Sequence, residues 1–245
     1  METILAHSLN NLLRGKVDIN QQLKKIRDAY DLTVVQYQKG FNPFDNIPEE
    51  IINSPGFKAI MTDKDKMNSG APDIKEYLNP KLGMRFLDAG CCANLANYRL
   101  DKWQSTYYGI DLSPALIDAM KSFAKKENIS VGSLKVTDIS KLPFADDFFD
   151  IAAVIGVFEY CTIEYIKDSL SELNRALKPQ AKMVLDIPNL EHPDVALMFK
   201  LEEYLQRPNI PNPRFVFEEF LKPLFSIERF DDSRGMTKYF VRNIK

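Results

Sequence analysis

The stretch Phe86-Leu87-Asp88-Ala89-Gly90-Cys91-Cys92, followed downstream by Gly109-Ile110-Asp111, decides how this chain folds. An apolar run that closes on a glycine-bearing turn reads as a strand breaking tightly into a helix. The second apolar run then ends on the carboxylate of Asp111. In a doubly wound sheet, an acid at the tip of the second strand stands where it can hold two ribose hydroxyls. An adenosyl ligand is the expectation that follows.

Working outward, apolar runs alternate with helical patterns from residue 84 onward. The spacing predicts strands over 84–88, 106–110, 131–136, 148–155, 181–187, 223–230 and 236–242. Ser113-Pro114 has the form of a helix start, a hydroxyl cap before a proline at the first helical position. Leu116, Ile117, Met120 and Phe123 continue that helix. Ile166, Leu170, Leu173 and Leu177 share one face of another, over 164–177, which Pro179 stops. Strand–helix alternation implies parallel strands joined by right-handed crossovers. Only Asp231-Asp232-Ser233-Arg234-Gly235 separates the last two runs, which fits a hairpin with an antiparallel edge.

Residues 1–80 differ in character. Leu5, Leu9, Leu12 and Leu13, then Ile19, Leu23, Ile26 and Tyr30, recur at helical steps. After Gly40, the prolines at 43, 48, 55 and 72 interrupt any long helix. This region reads as a helical N-terminal extension, equally suited to a lid or to the face of a homodimer.

Composition narrows the function. The chain has 245 residues, 45% hydrophobic content, a formal charge of −2 and a pI near 5.8. No broad basic surface is available for nucleic acid or an anionic membrane. Three cysteines, Cys91, Cys92 and Cys161, suit reduced thiols in a cytoplasmic setting. His7 and His192 form no ligand pair with them, so no metal site is expected. Acidic Glu2 without a long apolar core reads as no signal peptide, and no apolar run reaches the length of a membrane span.

Beyond the first turn, Gly109-Ile110-Asp111-Leu112-Ser113, Asp138 before Leu142-Pro143-Phe144, Phe149-Asp150-Ile151 and Leu177-Lys178-Pro179 occur in order. With these pieces, residues 84–242 resemble the class I S-adenosylmethionine-dependent methyltransferases. The resemblance implies an α/β, Rossmann-like, doubly wound, seven-stranded, mostly parallel sheet. It would carry an antiparallel C-terminal edge hairpin, in a domain over 81–245 with a substrate-side insertion at 188–222. It also implies S-adenosylmethionine as cofactor. Asp88, Gly90 and Cys91 would lie along its methionyl part and Asp111 on its ribose. Leu112, Asp138 and Ile139 would meet adenine, and the backbone near Ile155 and Gly156 the sulfonium. Read without the resemblance, Asp111 is also an acid leading a helix, and Asp138 a turn residue.

Two departures stand out. Where the family turn continues with glycines, this chain has Cys92 and Asn94, and where it has Lys-Pro-Gly-Gly, Lys178-Pro179-Gln180-Ala181 stands instead. Asn94 tolerates a left-handed bend better than most residues, whereas the Cys92 side chain takes space beside the ligand. With no histidine close in sequence, neither neighbouring cysteine reads as a nucleophile.

Methyl transfer needs mainly alignment of a nucleophile, with a base only if the acceptor must lose a proton. Glu159, after the fourth strand, is the leading base or substrate-amine ligand. Its other reading is an acid that starts a helix. His192 is a second catalytic candidate, against an exposed loop histidine. Tyr37 is a third, within an aromatic cover of Tyr30, Tyr37, Phe41 and Phe44 that excludes water and faces the sulfonium. The same aromatics could instead pack the helices onto the sheet. Met198, Phe199, Leu201 and Tyr204 read as a helix stripe. A small-molecule acceptor, methylated on N, O or S, fits the enclosed site. A lyase or cyclase releasing methylthioadenosine and a non-catalytic cofactor-binding protein are the alternatives.

Overall fold

In the computed structural model, residues 18–54, 57 and 72–245 are described. The leucines at 5, 9, 12 and 13 and His7 lie outside them, so the expected dimer face is not among the described residues. Strands β1 (Arg85–Ala89), β2 (Thr106–Asp111), β3 (Ser133–Val136), β4 (Phe149–Val154), β5 (Leu177–Pro188), β6 (Phe225–Asp231) and β7 (Met236–Asn243) form one sheet. Its order is β3-β2-β1-β4-β5-β7-β6.

The centre of the sheet is parallel, with Asp88 opposite Gly109 and Ala153 opposite Val184. The strands there are covered on both faces, which is why β1 and β4 read as nearly unbroken apolar runs. Leu87, Ala89, Phe149, Ala152 and Val154 are all fully buried. Strand β7 turns back antiparallel to β5, pairing Leu185 with Tyr239, and β6 completes the hairpin at the edge.

Most strand ends fall within two residues of the sequence reading, and the largest difference is at the start of β5. The helix over Ile163–Ala176 stops before Leu177, and β5 starts there rather than at 181. The residue before a proline avoids helical backbone, so Lys178 is extended ahead of Pro179. Gln180 then takes φ +62°, in the left-handed region. The extra residues form an irregularity in register: Phe149 pairs with Leu177 but Ile151 with Lys182. Lys178 anchors the irregular start of the strand to Asp150.

The helices are α1 (Ile19–Gln38), α2 (Glu49–Ile52), α3 (Pro72–Leu78), α4 (Asn94–Tyr98), α5 (Pro114–Lys126), α6 (Ile163–Ala176), α7 (Val195–Tyr204) and α8 (Arg214–Leu221). Ser113 caps α5 as its sequence predicts, accepting from the Leu116 N–H at 3.0 Å. The same hydroxyl donates to Asp31 of α1, whose Oδ1 also accepts from the Ala115 N–H at 3.2 Å. A carboxylate at the positive end of a helix is favoured, and here it pins α1 across the start of α5. Among the described residues, no helix is long and apolar enough to cross a membrane.

Candidate active site

The carboxyl ends of β1, β2 and β4 open into a cavity of about 1000 Å3 roofed by α1. That is the upper end of the range for a small-molecule site. The turn after β1 shapes its floor. Gly90 adopts φ +76°, and a Cβ there would lie 2.3 Å from Cγ2 of Val157. Only a glycine fits under that side chain. The Gly90 and Cys91 N–H groups both donate to the Ile110 carbonyl, at 2.9 and 2.8 Å.

The next N–H, of Cys92, donates to Oδ2 of Asp111 at 2.9 Å, while Ser113 N–H donates to Oδ1 at 2.9 Å. Aiming the Cys92 N–H at this acid requires a left-handed step at Cys92 itself, with φ +41°. The left-handed residue is therefore Cys92 and not Asn94, because by residue 94 the chain is already in α4. Asn94 serves differently: its Nδ2 reaches both oxygens of Asp88 at 3.3 Å, beside the Tyr107 hydroxyl at 2.7 Å. Burial raises the Asp111 carboxyl against the opposing Ser113 and Cys92 donors. Each of its oxygens has one backbone donor and retains capacity for another.

Asp88 is buried, and desolvation pushes it up to about 6 despite Tyr107 and Asn94. An acid raised in the folded state binds its proton more tightly there than when unfolded. Its contribution to stability is therefore lost as pH rises from the ordinary 3.8 through about 6. A shift of this size corresponds to about 3 kcal/mol. Relative to wild type, Asp88→Asn should gain about 2–3 kcal/mol of stability between pH 4 and pH 7. Urea unfolding at both pH values checks this, since any fixed cost of rearranged hydrogen bonds cancels in the difference. An unchanged gap between variant and wild type would reject the assignment.

The opposite wall is built on the turn after β4. Glu159, in the short helical turn Phe158–Tyr160, is 6% exposed and lines the cavity. Burial, then the charge of Asp186, pushes its carboxyl well up. Tyr160 donates to Glu202 of α7 at 2.9 Å, and its hydroxyl lies 3.1 Å from that of Tyr30 on α1. Arg207 stacks over the Tyr30 ring at 4.1 Å and reaches Glu202 at 3.3 Å. This clasp holds α1 against the segment that follows β5.

Residues 87–185 match the family model described as methyltransferase domain. An uncharacterized protein of Methanocaldococcus jannaschii is 30% identical over 176 residues, covering 70% of this chain and 65% of that one. A ubiquinone biosynthesis O-methyltransferase of Rickettsia bellii is 25% identical over 158 residues, 64% of each chain. The chain thus spans just under two thirds of the length of these curated relatives. In fold it is similar to geranyl diphosphate C-methyltransferase from Streptomyces coelicolor. The TM-score is 0.65, with 13% identity over 91% of this chain and 98% of that one. Residues 87–185 thus carry a methyltransferase domain, and the fold is that of S-adenosylmethionine-dependent methyltransferases of known structure.

S-adenosylmethionine, the cofactor of such enzymes, fits the residues present. Asp111 lines the cavity with acceptor capacity left for vicinal hydroxyls, and Gly90 lets the turn pack under Val157 beside it. Asp88, Gly90, Asp111, Leu112, Ile139, Ile155 and Glu159 all line this one cavity. Four expected residues do not. Cys91 is buried beneath the turn, its N–H bonded to Ile110. Asp138 borders a smaller neighbouring cavity and accepts from the Tyr165 hydroxyl at 2.6 Å and the Ser140 N–H at 2.8 Å. Tyr37 is 50% exposed and donates to Asn42. The Nδ1 of His192 accepts from the Asp194 N–H.

Of the aromatic cover, Tyr30 lines the cavity, whereas Phe41 and Phe44 are exposed. Met198 of the α7 stripe also reaches the wall. Burial pushes Cys92 up to about 11, which disfavours a thiolate. Among the described residues, no group of three His, Cys, Asp or Glu side chains is placed to hold a metal ion. Sequence reasoning missed Tyr160, Tyr165 and Asp186. A signal for the last was present: Asp186 is a lone charge in the apolar run Val184-Leu185-Asp186-Ile187.

Proposed function

We propose that this protein transfers the methyl group of S-adenosylmethionine to a small-molecule acceptor held between α1, the turn after β4 and the segment 188–222. One juxtaposition supports this above all. A glycine floor, a ribose-ready acid and a buried carboxylate meet in one cavity at the carboxyl edge of the sheet, where such sheets take their ligands. Bound S-adenosylmethionine brings an already activated methyl group. The protein's own task is then alignment and exclusion of water, and alignment alone can lower a barrier by about 7–11 kcal/mol.

In this reading Asp111 takes the ribose hydroxyls, and Leu112 with Ile139 sandwiches the base. Gly90 lets the chain approach the methionyl part. Tyr30 and Tyr160 close the far side, and Glu159 meets the acceptor. The nucleophilic atom is N, O or S. Residues 1–80 act as the lid and 188–222 as the substrate-side insertion.

Incubating the full chain with methyl-labelled S-adenosylmethionine and a panel of small acceptors tests the reading. Label is expected in acceptor, with S-adenosylhomocysteine as co-product. Methylthioadenosine formed from cofactor alone would instead establish intramolecular lyase or cyclase chemistry. Tight binding without turnover of any acceptor would leave a non-catalytic binding protein.

A further inference from the structure

The acceptor end of the cavity holds one buried carboxyl oxygen without a partner among the described residues. Oε2 of Glu159 is buried and has no hydrogen-bond partner within the protein. Asp186, 4% exposed, lies close by: Gly156 donates its N–H to Asp186 Oδ1 at 2.9 Å, and a Cβ on Gly156 would stand 3.5 Å from Glu159 Oε1. Two buried carboxyl groups thus flank one backbone position. Glu202 adds negative charge toward Glu159, though Arg207 is bonded to it at 3.3 Å, and Lys238 of the same cavity acts on Asp186. Tyr30, Tyr160 and Tyr165 line the same cavity, and the first two rings meet edge to face at 6.2 Å.

We infer that the acceptor carries a protonated amine and is anchored by it on Glu159, with the tyrosine rings around it. The inference rests on the methyl-transfer reading and narrows its substrate class. An ammonium offers three donors and no acceptor, matching the one carboxyl oxygen, Glu159 Oε2, that lacks a donor. A buried carboxylate is costly until it is paired, and Asp186 beside Glu159 adds to the attraction for a cation. Aromatic faces add to that attraction. Neutral hydroxyl ligands offer Glu159 no opposite charge and make only a neutral hydrogen bond with it. Charge-assisted hydrogen bonds exceed neutral ones by roughly 1–1.5 kcal/mol, about tenfold in affinity.

The test uses the full chain saturated with S-adenosylhomocysteine, titrated calorimetrically with benzylamine, phenethylamine and their tertiary N,N-dimethyl forms. Benzyl alcohol and phenethyl alcohol serve as the uncharged counterparts. Amines are expected to bind about tenfold more tightly than the alcohols, and Glu159→Gln should remove most of that preference. Equal affinities, a preference that persists in E159Q, or no binding by any amine would overturn the inference. Titration with S-adenosylhomocysteine alone separates the two levels. If it binds wild type and E159Q while the amine preference is absent, this inference alone fails. If wild type does not bind it, the methyl-transfer reading fails and the acceptor assignment falls with it.

Discussion

Asp111→Ala is expected to weaken S-adenosylhomocysteine binding by about 2–4 kcal/mol, roughly 30- to 1000-fold, because hydrogen bonds to a charged acceptor contribute about 1.5–3 kcal/mol each. Two hydroxyls on one carboxylate would be lost together. Part of the effect arises without ligand, since the Cys92 and Ser113 N–H groups both lose their acceptor. Asp111→Asn separates the contributions. It retains one acceptor oxygen for the backbone but only part of the grip on the ribose, so its affinity should fall between the two. Calorimetric titration of the three proteins checks this ordering. An alanine variant with wild-type affinity would remove Asp111 from the site.

Gly90→Ala should produce the largest loss of stability among the substitutions considered. Its backbone lies at φ +76°, which costs an L-residue about 1–2 kcal/mol. The added methyl would also lie 2.3 Å from Cγ2 of Val157, and overpacking of this kind costs about 1–3 kcal/mol. A combined loss of about 2–5 kcal/mol lowers the melting temperature by roughly 5–15 °C in a chain of this size. The two causes can be separated by a double-mutant cycle. Val157→Ala removes the clashing methyl and leaves Cβ at 3.6 Å, an ordinary contact. In that background Gly90→Ala should cost about 1–2 kcal/mol, the backbone share alone. An identical cost in both backgrounds would show that Val157 does not confine the turn.

The sheet was legible in the sequence because its central strands bury both faces. Phe86-Leu87 and Ile151-Ala152-Ala153-Val154 are apolar without interruption, so their strand character needs no tertiary information. The start of β5 was not legible. Pro179 suggests only where a helix stops, and the left-handed backbone at Gln180 is set by pairing with β4. At the site, Gly90, Asp111 and Glu159 were readable as cavity-lining residues because each lies at or just beyond the carboxyl end of a strand, and those ends converge.

Side chains on helices and loops were a different matter. Tyr37 and Tyr30 are two turns apart on α1, yet only Tyr30 lines the cavity. Their difference depends on how α1 crosses α5, which Asp31 fixes from a distance in sequence. Asp138 likewise reads as a free acid until Tyr165, on another element, donates to it. Its neighbours Thr137 and Ile139 line the main cavity.

Ser113 gives its N–H to Asp111 and its hydroxyl hydrogen to Asp31. One small residue therefore splices the acid proposed to grip the sugar to the helix that roofs the cavity. Evolution has no independent dial for each: remodelling α1 to admit bulkier compounds would tug on the nucleoside cradle. New substrate ranges should arise more readily from the α7 side, which touches the cavity through Met198 and is not bonded to that serine.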